Sequence, residues 1–84
     1  MNTLFPLCRL AVGQVGIVRE ISATGALRRR LQDLGIVTGR QICCLHRSLA
    51  GDPAAFGVCH AVFALRDQDA VLVLVEAGEE QRWN

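Results

Sequence analysis

The sequence predicts a mainly β domain: a small closed barrel of about five strands, with one principal helix after the first strand and a short N-terminal helical turn. Three observations predict it. Short apolar segments of strand length are separated by Gly-, Asp- and Pro-containing turns. A single stretch has the spacing of an amphipathic helix. The chain of 84 residues has too little material for a two-layer sandwich, whereas closure removes the exposed edges of valine-rich strands. The chain reads as one domain over 1–84, with a core from about 7 to 76 and a polar tail over 77–84.

The elements follow in order. Leu7-Cys8-Arg9-Leu10 has apolar residues three apart and fits one helical turn before Gly13. Gln14 to Ile21 alternates as a half-buried strand, and Gly16 inside it suggests a close backbone approach or a bulge. Ser22-Ala23-Thr24-Gly25 is a turn in which Ser22 or Thr24 can cap a helix. The helix runs from about Ala26 to Leu34, with Leu27, Leu31 and Leu34 in one apolar stripe. Gly35 stands where a left-handed C-terminal cap belongs, and Ile36 can fold back on Leu31. Thr38-Gly39 turns the chain into a strand over Arg40 to Arg47. Gly51-Asp52-Pro53 marks a loop. Ala55 to Leu65 is extended, with a bend near His60-Ala61, and Arg66 to Asp69 is a polar turn. Ala70 to Glu76 is the last strand, which could pair with a second copy to form a homodimer if it lay at a sheet edge. Trp83 in the tail either stands idle or docks on the body.

Nine arginines, no lysine and eight acidic residues leave a formal charge of +1, which removes the usual electrostatic case for nucleic acid or an anionic membrane. The N-terminal segment is not a secretory signal: it lacks a basic leader, and Pro6 and Arg9 break its apolar stretch. The longest apolar run, Ala70 to Val75, is far shorter than the ~20 residues of a membrane span. The expectation is a soluble cytoplasmic protein whose cysteines, Cys8, Cys43, Cys44 and Cys59, are reduced.

Leu31-Gln32-Asp33-Leu34-Gly35-Ile36-Val37-Thr38-Gly39, then Leu49-Ala50-Gly51-Asp52-Pro53, then Ala64-Leu65-Arg66 with acidic residues behind it, resemble in order and spacing the ferrous iron transport protein A (FeoA) family. The resemblance spans about Leu7 to Glu76. Thr38 stands where the family usually has proline, Ala50 lies beside Gly51-Asp52, and His60 occupies a position where the family often has glycine. The resemblance implies an SH3-like barrel with an inserted helix. It also implies a small cytosolic accessory of ferrous iron uptake, peripheral to the membrane only through its partner, the cytosolic G-protein part of the ferrous iron permease. The same fold occurs as a C-terminal domain of iron-dependent repressors, which makes a related regulatory domain one alternative.

Candidate chemistry is sparse. Cys44 and His46 could share one strand face, but no oxyanion site, orienting group, phosphate loop or metalloprotease motif accompanies them, so no enzyme is expected. No cofactor is required on this reading. If Arg47 lies opposite Ala55, Cys43 falls across from Cys59, with His60 beside it. These are ligands for Zn²⁺ or Fe²⁺ and would make the chain a metal chaperone or sensor, although a structural site needs four. Without a metal the same residues are two unpaired thiols on a sheet. On the helix, Arg28, Arg29, Gln32 and Asp33 form either a solvated face, with Arg29 and Arg30 paired to Asp33, or a docking surface. In SH3-like folds a groove between loops commonly takes the partner, which adds the loop Leu49–Pro53, Leu49 and Asp52 in particular. Leu49 is either an exposed contact or folded back over the barrel end.

Overall fold

Alternation of apolar with small or polar residues puts six segments into strands, and the computed structural model describes residues 3–78. β1 (Leu4–Pro6) leads into a 3-10 turn (Leu7–Arg9), then β2 (Val15–Ile21), α1 (Gly25–Asp33), β3 (Gln41–Arg47), β4 (Ala54–Val58), β5 (Ala61–Leu65), a one-turn helix α2 (Asp67–Ala70) and β6 (Val73–Ala77). The strands pair antiparallel in one six-stranded sheet of order β1-β6-β2-β3-β4-β5. The mainly β class and the inserted helix stand as expected. The additional strand is β1, three residues ending at Pro6. The ladder does not close on itself: among the described residues β1 and β5 are its two edges. β6 lies between β1 and β2, so the last strand has no free edge with which to meet a second copy.

A flat sheet of this width would bury too little, and it curves around one apolar cluster instead. Leu7 and Leu10 from the N-terminal turn, Val18, Leu31, Ile36, Ile42, Cys44, Phe56, Val58, Leu65, Val73 and Val75 share that cluster. Phe56 is wholly buried at its centre; burying such a side chain contributes about 1.5–3 kcal/mol. Gly16 permits the curvature. A Cβ there would sit 3.2 Å from Val75 Cβ and 3.3 Å from Leu10 Cδ1, so β2 and β6 approach as closely as a bare backbone allows. Two residues on, the ladder slips between Val18 and Glu20. Arg19 is the extra residue, and its Nε donates to Glu76 Oε1. That pairing satisfies the one buried charged side chain among the described residues.

α1 ends as its sequence requires. Gly35 takes φ +98°, its N–H donates to Gln32 O at 2.9 Å, and the Ile36 N–H donates to Leu31 O at 2.9 Å. This paired closure brings Ile36 back beside Leu31 in the core. The start of α1 differs from expectation. Thr24 holds the N-cap position but its hydroxyl makes no capping bond. Arg28 straps the entry instead, donating Nη1 to Ile21 O at 2.9 Å and to Ala23 O at 3.4 Å. The stretch expected to be extended from Ala55 to Leu65 is a hairpin, β4 and β5, turning at Cys59-His60. Trp83 and the rest of the tail beyond Gly78 lie outside the described residues. No helix among the described residues is long and apolar enough to cross a membrane.

The close approach at Gly16 has a measurable cost. Gly16→Ala should lower the unfolding free energy by about 1–3 kcal/mol, because Val75 is β-branched and held in the core. Urea denaturation would show a reduced midpoint with an unchanged slope.

Candidate functional site

The best-built surface feature grows from Arg47, the last residue of β3. Its Nη2 donates at 2.7 Å to both Cys8 O and Leu10 O in the N-terminal turn. Its Nη1 donates to Gly51 O at 3.4 Å. One guanidinium thus holds the loop Ser48–Pro53 against a segment nearly forty residues earlier in the chain. The loop closes on itself as well, through Ser48 N–H to Pro53 O at 3.1 Å and Gly51 N–H to Ser48 O at 2.8 Å. The Asp52–Pro53 peptide is cis. Asp52 Oδ1 accepts from the Asp67 N–H at 3.0 Å, which fixes the far end of the loop to α2. Leu49 sits at the tip, with its side chain fully in solvent at 111% relative exposure. The folded-back alternative for Leu49 is therefore excluded. Asp52, half-buried, thus anchors the loop through one of its two carboxylate oxygens.

On the expected docking face of α1, Arg28, Arg29, Arg30, Gln32 and Asp33 are all exposed, and of these Arg28 also donates to the carbonyls of Ile21 and Ala23. The pairs Arg29–Asp33 and Arg30–Asp33 are not formed; the ion pair among the described residues is Arg19–Glu76.

The expected metal ligands do not come together. Arg47 pairs with Ala54 rather than Ala55, and the ladder slips again at Leu45, between Cys44 and His46. Cys43 consequently faces Gly57, not Cys59. Cys59 lies in the β4–β5 turn at φ 55°, exposed, with Arg40 Nη1 donating to its sulfur at 2.7 Å. His60 beside it is exposed. No group of three or more His, Cys, Asp or Glu side chains able to hold a metal is found among the described residues. The same slip at Leu45 separates Cys44, buried in the core, from His46, which is exposed. A Cys–His nucleophile pair is thereby undone.

Burial pushes the Cys43 thiol up from its ordinary value, and the neighbouring Cys44 adds to the rise. Burial also raises Cys44, partly offset by the Arg47 guanidinium and by a backbone hydrogen bond at His46. Both are unreactive protonated thiols near neutrality.

A curved antiparallel sheet with one inserted helix and a tightly anchored loop defines a small SH3-like domain. The chain belongs to the FeoA family, whose domain model matches residues 5–77. Among solved structures it is similar to iron(II) transport protein A from Clostridium thermocellum, at 27% identity over 87% of this chain and 45% of that one, with a TM-score of 0.84. It is also similar to FeoA from Stenotrophomonas maltophilia in complex with zinc, described as a prokaryotic SH3 domain protein, at 29% identity over 89% of this chain and 88% of that one, with a TM-score of 0.73. The chain spans less than half the length of the first of these and most of the second. A manganese-dependent transcriptional repressor shares the fold at 20% identity, over 92% of this chain and 43% of that one, with a TM-score of 0.81. No curated protein matches the chain.

Two measurements check the site. Arg47→Met should destabilise the fold by about 2–4 kcal/mol, since it leaves part-buried carbonyls without their charged donor; Ser48→Ala, which removes a buried Oγ that has no hydrogen-bond partner, should cost nothing. In native protein, iodoacetamide should label Cys59 first, and Cys43 and Cys44 only on unfolding. The raised thiols favour the folded state below their unfolded value near 9.0. That contribution should fade as the pH climbs through the folded values, visible as a falling melting temperature on the alkaline side.

Proposed function

We propose that this chain is an accessory of ferrous iron uptake that acts at the cytoplasmic face by binding the G-protein part of the ferrous iron permease. The observation that carries the reading is Leu49: a wholly exposed leucine on a loop anchored at both ends, in a chain of the FeoA family. An exposed apolar side chain on an anchored loop offers a partner an apolar contact whose backbone is already ordered before binding. The exposed Arg29, Gln32 and Asp33 offer a second, polar contact. The role needs neither a catalytic group nor a bound metal. It needs a difference in affinity between two states of the permease, because a ligand that binds both equally shifts nothing. A tenfold preference for one nucleotide state corresponds to about 1.4 kcal/mol.

Calorimetry with the isolated cytosolic domain of the permease, loaded with GDP or with a non-hydrolysable GTP analogue, tests this. Binding that differs between the two states, and that weakens at least tenfold in Leu49→Ala, is the expected result. No binding in either state would overturn the proposal.

A further inference from the structure

The sheet has two edges, and the chain treats them differently. β1 is three residues long and ends in Pro6, which has no N–H to offer. β5, Ala61-Val62-Phe63-Ala64-Leu65, contains no charge and no proline, keeps an unbroken register with β4, and is mostly exposed. Among the described residues it pairs with β4 alone. None of the devices that normally blunt an edge is present within it.

The free groups on this edge follow from the hairpin. A two-residue connection closes on a hydrogen-bonded pair, here Val58 and Ala61. Bonded and non-bonded pairs alternate from there, so Phe63 and Leu65 bond to β4 while Val62 and Ala64 point their N–H and C=O groups away from it. Val62 also carries one of the largest exposed apolar surfaces of the protein, at 62%.

We infer that β5 pairs antiparallel with β5 of a second copy, about a two-fold axis at Phe63, joining two sheets into one. The pattern of the strand is what selects a second copy. About that axis Val62 faces Ala64 of the second copy and Ala64 faces its Val62, so the four outward groups of each strand are met by the four of the other. Ala61 faces Leu65, setting small against large on the same principle. The two half-buried Phe63 rings meet as a cross-strand aromatic pair. No residue from Ala61 to Leu65 is charged; the same register sets Arg66 of each copy opposite His60 of the other, just beyond the ends of the strand pair. The contact is isologous and closes at two subunits. One strand pair buries less than the roughly 1,200–2,000 Å² of stable interfaces, so the association belongs in the range of about 0.1–1 mM.

The test is sedimentation equilibrium of the full chain from about 20 μM to 1 mM, in dithiothreitol so that the exposed Cys59 forms no disulfide. The weight-average mass should rise with concentration from 9.1 kDa towards twice that value. Val62→Lys places a charge on an exposed position, and Ala64→Pro removes an outward N–H that β4 does not use. Each should hold the mass at the monomer value, with circular dichroism confirming the fold. In wild-type protein the Val62 and Ala64 amides should exchange with solvent more slowly as concentration rises, a readout that needs no variant. A monomer mass across the whole range would overturn the inference, as would self-association that neither substitution weakens.

Discussion

The candidate site depends on the placement of one guanidinium. Arg47 ends β3 at the point where the chain leaves the sheet, and it donates to carbonyls of the remote N-terminal turn and of the loop that follows it. Both the N-terminal turn and the Ser48–Pro53 loop take their positions from it. The side chain of Leu10, whose own carbonyl is one of those Arg47 holds, packs in the core and reaches within 3.3 Å of where a Cβ on Gly16 would stand. Packing beneath the sheet and the posture of the loop above it are thus coupled through a few ångströms of backbone. An arginine suits this role better than a lysine, because a planar fork can serve several acceptors at fixed angles.

The loop shows what that anchoring achieves. Its ends are fixed by Arg47 and by Asp52 on the first amide of α2, and what remains free is Leu49. Exposing a leucine to water is unfavourable, and the fold offers no local compensation for it. The backbone beneath that side chain is already ordered, and a leucine loses less rotamer freedom on contact than the longer exposed arginines of α1.

Much of this was legible in the sequence where the determining interactions are local. The helix and its Gly35 closure, the close approach at Gly16, the Gly-Asp-Pro loop and the polar turn before the last strand each depend on residues within a few positions of one another. The register of β3 against β4 does not. A one-residue offset at Arg47 and an extra residue at Leu45 together move Cys43 from Cys59 to Gly57. No nearby residue announces a bulge in Cys-Cys-Leu-His. β1 was missed for a related reason: three residues before a proline have no periodicity to read, and only pairing with β6 makes them a strand. The candidate site was legible as residue types, since Leu49 and Asp52 were both singled out. That one is a free apolar tip and the other an internal anchor needed three dimensions.

The position of β6 has a consequence for how the molecule comes into being. The final strand is inserted between the first two, pairing Phe5 with Val75 and Val18 with the same Val75. A nascent chain that does not yet include β6 therefore has no partner for β1 and leaves one flank of β2 bare. The sheet can be completed only once β6 has been made, through contacts between segments some seventy residues apart, and such long-range closure is slow compared with helix formation. During that interval the unfinished flank, rich in valine and isoleucine, is open to wrong partners.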